Sequence, residues 1–113
     1  MSRANPLKLN PLQLKTLALL QELAKSPETA TLDPATGEAF LSTLPSPHGD
    51  HFHIAGKLVM GRDASGLANE AVWKALERKG LARASFPLAI TLTPNGLAYD
   101  TSLAQAIFLG ADH

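Results

Sequence analysis

The most constraining feature of this chain is residues 67–96, where a helical pattern, two strand patterns and a second helix start follow each other closely. Val72 and Leu76 stand four residues apart, which places both on one face of a helix predicted from about Leu67 to Lys79. Gly80 comes directly after its charged last turn, where a left-handed glycine commonly ends a helix. This order of elements predicts an α+β fold.

Two strands are predicted after this glycine, over residues 81–85 and 88–93. In the second strand, large apolar residues alternate with Ala89 and Thr91, as expected of a strand that is buried on one face. Phe86-Pro87 forms the connection, so the tip of the hairpin is very short. We therefore expect a tight antiparallel hairpin directly after the helix.

A last helix is predicted from Pro94 to Leu109, with Thr93 as its cap, because a threonine hydroxyl can accept from the first backbone N–H groups. Its apolar residues lie at helical spacing: Leu97, Tyr99, Leu103, Ile107 and Phe108. This is more apolar surface than a lone terminal helix needs. We therefore expect a homodimer formed through this helix together with the first helix.

The first helix is predicted to begin after Asn10, a favoured N-cap, with Pro11 at the first helical position. Five leucines give it a broad apolar stripe: Leu12, Leu17, Leu19, Leu20 and Leu23. Ser26-Pro27 is expected to end it, since the residue before a proline avoids helical backbone angles.

The segment between these two clear helices is less regular. A short helix is predicted from Asp33-Pro34 to Leu44, and residues 45–50 are predicted to be a loop. Asp63 or Ser65 is expected to cap the helix that starts near residue 67.

Strands are also predicted at His51–Ile54 and Leu58–Met60, in a hairpin around residues 55–57. Histidines alternate in the first of these strands, so they would share one face of it. Together with the loop before it, the strand offers four candidate metal ligands: His48, Asp50, His51 and His53. Such a set suits zinc, nickel or ferrous iron. The alternative is a polar loop with solvated histidines, since the spacing fixes no further ligand.

Composition narrows the function. The 113 residues favour one domain, residues 1–113, and the absence of cysteine excludes disulfides and thiolate metal sites. Ten basic and ten acidic residues give no net charge, whereas most dedicated DNA-binding domains are basic. No secretory signal or membrane span is recognisable, so we expect a cytoplasmic protein. No catalytic or nucleotide-binding motif is present, so we expect neither enzymatic activity nor a cofactor.

Two segments, Leu-Glu-Arg-Lys-Gly-Leu-Ala-Arg at 76–83 and Leu-Thr-Pro-Asn-Gly-Leu-Ala-Tyr at 92–99, resemble the corresponding parts of MarR-type and PadR-type regulators. The resemblance covers residues 65–100, about a third of the chain. It implies a winged helix-turn-helix fold, with three or four helices and a small antiparallel sheet that forms the wing. It also implies DNA binding, transcriptional regulation and dimerisation through terminal helices. Residues 45–65 would be an atypical insertion, because a helix-turn-helix joins its helices by a short turn.

In such a regulator the DNA contacts would come from Lys57, Arg62, Asn69, Lys74 and Arg83. Asn69 is a natural reader of base edges, and Lys74 and Arg83 would bind beside it. Lys57 or Arg62 would contact phosphate. Glu70 opposes DNA binding because it repels phosphate, and Arg83 is the only charge in the wing. The alternative is a winged-helix module that contacts a protein through a neutral helix face and Trp73.

Overall fold

The computed structural model describes residues 6–42, 44, 51–54, 57–61 and 64–101, with the backbone alone described at 51–54 and 57–58. These residues form an α+β fold, as predicted, with three α-helices and a small antiparallel sheet. The elements in chain order are α1 (Pro11–Ala24), β1 (Ala30–Asp33), β2 (Glu38–Leu41), β3 (His51–Ile54), β4 (Lys57–Met60), a 3₁₀ helix (Ser65–Ala68), α2 (Glu70–Arg78), β5 (Ala82–Ser85), β6 (Ala89–Leu92) and α3 (Pro94–Ala98).

Helix α1 is the centre of the core and begins as predicted. The Asn10 side chain accepts from the Gln13 N–H at 2.8 Å, and the Gln13 side chain accepts from the Asn10 N–H at 3.0 Å. This reciprocal capping box, with Pro11 at the first position, fixes where the helix starts. Four of the five leucines in the predicted stripe are at most 1% exposed, and the fifth, Leu12, is half-buried.

Four strands form one antiparallel sheet in the order β1-β2-β6-β5, and β3 pairs with β4 in a separate hairpin. Both predicted hairpins, β3–β4 and β5–β6, are therefore confirmed. One face of the larger sheet packs on α1 and carries buried residues of three strands: Ala39, Leu41, Ile90, Leu92 and Ala82. The opposite face carries a cross-strand row of Thr31, Phe40, Thr91 and Arg83.

The predicted helix over residues 33–44 is wrong, because this segment is the turn and second strand of the β1–β2 hairpin. The Asp33 carbonyl accepts from the Gly37 N–H at 2.7 Å, and Gly37 has a φ of 76°, a left-handed angle suited to glycine. After this turn Ala39 and Leu41 are buried while Phe40 is exposed. That period of two is a strand pattern, and it overrides the local helix signal at Asp33-Pro34.

Helix α2 starts later than predicted, at Glu70, and its cap is Asn69 instead of Asp63 or Ser65. The preceding 3₁₀ helix brings Gly66 against α1, where an added Cβ would collide with the Thr16 side chain. The predicted end of α2 is confirmed: Gly80 has a φ of 77°, and the Leu81 N–H donates to the Leu76 carbonyl at 3.0 Å. The left-handed Gly80 and this hydrogen bond together form a Schellman cap.

Helix α3 begins as predicted, with the Thr93 hydroxyl accepting from the Gly96 N–H at 3.1 Å. It ends at Ala98, so a continuous helix to Leu109 is wrong. The Gln21 amide donates to the carbonyls of Gly96 and Tyr99, both at 2.8 Å, and so occupies an acceptor that the next helical turn would use. Residues 102–113, including most of the apolar residues behind the predicted dimer, lie outside the described residues. None of the described helices is long and apolar enough to cross a membrane.

Candidate interaction surface on the second helix and last hairpin

The candidate surface, called here the α2 surface, consists of the exposed side of α2 together with Arg83 on β5. Helix α2 buries Val72, Trp73 and Leu76 against the core. Its opposite side therefore faces outward and carries Glu70, Ala71, Lys74, Glu77 and Arg78, all exposed. Strand β5 follows directly after the Gly80 cap, which places Arg83 close enough to Glu77 to interact electrostatically with it.

Asn69, the predicted base reader, is the N-cap of α2. Its Oδ1 atom accepts from the Ala71 N–H at 3.0 Å. A side chain in this role stabilises a helix by about 1 kcal/mol, because it satisfies a backbone donor that has no partner inside the helix. Asn69 therefore contributes to the start of α2, and a base contact through Oδ1 would have to replace that hydrogen bond.

Lys74, predicted beside the DNA groove, forms an ion pair with Glu70 one turn earlier. The Nζ atom lies 3.4 Å from Glu70 Oε2, and both side chains are more than half exposed. Glutamate four residues before lysine is the favourable orientation on a helix, yet such exposed pairs contribute only about 0.3–0.5 kcal/mol. Lys74 can therefore exchange this partner easily.

Arg83, the predicted wing contact, is held more firmly by Glu38 on β2, across the intervening strand β6. Its two terminal nitrogens each donate to one carboxylate oxygen: Nη1 to Oε2, and Nη2 to Oε1 at 2.9 Å. The hydrogen bond from Arg83, supported by its charge, lowers the pKa of Glu38. The pKa of Arg83 is raised, mainly by the hydrogen bond to Glu38 and also by the charges of Glu38 and Glu77. The guanidinium is thus attracted by two carboxylates, of which only Glu38 is hydrogen-bonded to it.

Charges of opposite sign therefore alternate over the α2 surface and its border. The basic residues are Lys74, Arg78 and Arg83, and the acidic residues are Glu38, Glu70 and Glu77. Half-buried Lys79 adds one cation beyond them at the end of α2. A polyanion approaching this surface would meet nearly balanced charge, which gives little electrostatic attraction.

The tip of the β5–β6 hairpin is apolar. Leu88 is 77% exposed, the largest exposed fraction among the described large hydrophobic residues. Phe86 packs against Trp73 in an edge-to-face contact with 4.8 Å between ring centroids. Trp73 is completely buried beneath it, so the surface role for Trp73 in the protein-binding alternative is wrong. The indole N–H has no hydrogen-bond partner in the described part of the chain.

Sequence reasoning missed a groove that lies outside the α2 surface. It has a volume of about 420 Å³ and lies between α1, β1 and α3, with apolar walls from Ala18, Ala24, Leu32 and Leu97. Leu32 on β1 is 62% exposed there. The sequence signal for the hairpin that carries Leu32 is the period-two pattern after Gly37.

Several predicted site residues fall outside what the structure describes. Arg62, His48 and Asp50 are among these, as are the side chains of Lys57, His51 and His53. The metal-site hypothesis and the two phosphate contacts therefore stay predictions. Among the described residues, no group of three metal-ligating side chains is present.

Comparison of the chain with protein-family models, with curated proteins and with solved structures finds no match.

Proposed function

We propose that this chain is a protein-binding module of winged-helix type, in which α2 and the β5–β6 hairpin face a protein and not duplex DNA. The observation that carries this proposal is the bidentate pair of Arg83 with Glu38. It occupies the only charged side chain of the predicted wing.

The winged-helix part of the proposal is supported by the order of elements. A helix capped by glycine leads directly into a two-stranded hairpin, and the hairpin leads into a helix that starts at a Thr-Pro-Asn-Gly turn. Strand β6 of this hairpin pairs with β2, which extends the wing into a sheet. In such folds the face of the helix before the wing is the usual contact surface, and a fold of this kind can serve partners other than DNA.

The charge pattern favours a protein partner. DNA affinity grows with the number of phosphates that lysine and arginine neutralise. To bind a phosphate bidentately, Arg83 would first have to leave Glu38, and that free carboxylate would then repel the same phosphate. Lys74 can be released more easily, but Glu70 stays beside it.

The exposed apolar side chains also favour a protein partner. Leu88 at the hairpin tip is 77% exposed and Phe40 on the outer sheet face is 46% exposed. A DNA-binding wing presents cations to phosphate, whereas apolar and aromatic side chains are enriched in the centres of protein interfaces. An apolar tip therefore suits a protein surface better than a nucleic-acid backbone.

The second candidate is a DNA-binding transcriptional regulator, and the outward position of α2 beside the hairpin favours it. Its contacts would be Asn69, Lys74 and Arg83, with Lys57 or Arg62 on phosphate. It requires all three described side chains to leave or share their present partners.

An amide NMR titration with mixed-sequence duplex DNA at low salt separates the two candidates. We expect no salt-sensitive shifts on residues 69–85 at high-micromolar duplex. Shifts there that fade as salt rises would refute the protein-binding proposal and support the regulator, because counterion release has that signature.

A variant that frees Arg83 from its carboxylate partner tests whether the Glu38 pair is what prevents DNA binding. Glu38→Gln removes the carboxylate that holds Arg83, so we expect weak, salt-sensitive shifts to appear around Arg83 in this variant alone. Glu28→Gln is the matched control, since Glu28 is exposed before β1, at the opposite edge of the sheet from β5. Equal behaviour of the two variants would show that the Glu38 pair does not decide DNA binding.

A further inference from the structure

We propose that β1 is a self-association edge, through which two copies of the chain pair antiparallel about a two-fold axis at Leu32. Strand β1 ends the four-stranded sheet. Leu32 lies in register with Ala39, and Ala39 with Leu92, both fully buried. Leu32 therefore belongs to the core-facing row. Its side chain is nevertheless 62% exposed, because no further strand lies beside β1 among the described residues.

The backbone of Leu32 is directed at this open edge. The Ala30 N–H donates to the Ser26 carbonyl at 3.0 Å, so it points away from β2. Hydrogen-bonded and non-hydrogen-bonded pairs alternate along an antiparallel ladder. The pairs Ala30–Leu41 and Leu32–Ala39 are therefore of the non-hydrogen-bonded kind, and the N–H and C=O of Leu32 point outward.

The sequence restricts what this edge can bind. The outward positions near β1 are Ala30, Leu32 and residue 34, by the same alternation. Ala30 already uses its N–H, and Pro34 has none. Leu32 is thus the one position of the three that offers both a donor and an acceptor outward.

A second copy fits that restriction better than a long extended peptide. When two antiparallel strands pair about a two-fold axis at one residue, the two copies of that residue exchange both hydrogen bonds. Leu32 of each copy is sufficient for this arrangement. A longer peptide would gain little more, because the neighbouring outward positions lack a donor for it.

The side chains are compatible with the same axis. Both Leu32 side chains would lie on the core-facing side of the joined sheet, beside the groove walls of Ala18 and Leu97. On the other face Thr31 of one copy would oppose Asp33 of the other, so no like charges would meet. We expect a weak dimer, with a Kd on the order of 100 µM, because one residue pair and its surroundings bury less than a standard interface of about 1,600 Å².

This inference goes beyond the proposed function and is independent of it, because the β1 contact uses no residue of the α2 surface. The DNA titration and the dimer measurement can therefore fail separately. Loss of the β1 contact would leave the α2 proposal standing, and DNA binding by α2 would leave the β1 contact standing.

The test is sedimentation equilibrium of the full chain from about 10 µM to about 1 mM. We expect a reversible dimer in the wild type and at least about a tenfold higher Kd in Leu32→Lys. Leu88→Lys is the matched control, because it makes the same change at a leucine that is even more exposed, on the hairpin at the other edge of the sheet, and should leave the Kd unchanged. A monomeric wild type at the highest concentration would overturn the proposal, as would loss of the dimer in Leu88→Lys but not in Leu32→Lys.

Amide hydrogen exchange supplies a readout that does not depend on a variant. The Leu32 N–H should exchange more slowly as protein concentration rises, since the second copy covers it. The Thr31 N–H faces β2 by the same alternation and should exchange at a rate independent of concentration. Concentration-independent exchange at Leu32 would contradict the pairing even if the chain dimerises elsewhere.

Discussion

The contact between Gly66 and Thr16 gives the sharpest test of how this core is packed. Gly66 lies in the 3₁₀ helix before α2, pressed against α1, and a Cβ placed there would collide with Thr16 Oγ1 and lie 3.1 Å from Thr16 Cβ. Thr16 cannot simply turn outward, since it is fully buried and its hydroxyl donates to the Leu12 carbonyl at 2.8 Å. Gly66→Ala should therefore destabilise the fold.

The expected magnitude follows from these contacts. Forcing one methyl group into a packed core costs about 1–3 kcal/mol, and losing the Thr16 hydrogen bond adds about 1 kcal/mol. Gly66→Ala should thus lower the free energy of unfolding by about 2–4 kcal/mol. Thr16→Ala removes the colliding hydroxyl, so the double variant should be about as stable as Thr16→Ala alone. The coupling between the two sites should then equal the loss caused by Gly66→Ala alone, about 2–4 kcal/mol.

Urea unfolding followed by tryptophan fluorescence measures these differences. Trp73 is the only tryptophan and is completely buried, so its emission reports directly on loss of the core. The four free energies of the cycle, extrapolated to water, give the coupling between Gly66 and Thr16. The reasoning is refuted if the double variant loses the sum of the two single losses, because the two residues would then not share a contact.

Two further predictions concern glycine and charge. Gly96→Ala should destabilise the fold by about 2–4 kcal/mol, because the added Cβ would collide with the Leu81 backbone. Gly80→Ala places its Cβ in open space, so it should cost only the strain of the left-handed backbone, about 1–2 kcal/mol. Equal losses of the two variants in urea unfolding would contradict this prediction. The lowered pKa of Glu38 stabilises the folded state above the ordinary glutamate pKa of about 4.3, and that stabilisation is lost as pH falls through the lower folded-state pKa. Glu38→Gln should therefore weaken the dependence of the unfolding free energy on pH over this acidic range, most clearly at low salt. An unchanged pH dependence in the variant would show that the pair with Arg83 contributes nothing to stability.

The candidate site was only partly accessible from sequence. Residue type and helical position correctly placed Lys74 on the exposed face of α2. The same reasoning could not show that Arg83 pairs with Glu38, since 45 residues separate them along the chain. The sequence likewise predicted that Asn69 contacts a base. Its role as the α2 cap could not be predicted, because that role depends on the residue at which the helix begins.

In the middle of the chain, too, distant contacts decided what local sequence signals could not. Asp33-Pro34 is a common helix start, and the local rules favoured a helix to Leu44. The β1–β2 hairpin forms instead because β2 pairs with β6, a strand about 50 residues later, and buries Ala39 and Leu41 in the core. Local propensity is a weak signal when a distant strand offers a complete hydrogen-bonded edge.

The sequence by itself determined the elements whose signals lie within a few residues: the capped start of α1, the glycine end of α2, both two-stranded hairpins and the Thr93 start of α3. These depend on backbone hydrogen bonds between near neighbours, which residue type alone can favour. Only the tertiary structure decided that Arg83 is held by Glu38, that Trp73 is sealed under Phe86, and that Leu32 stands at an open edge. Each of those outcomes depends on which distant segments pack side by side, and no local pattern carries that information.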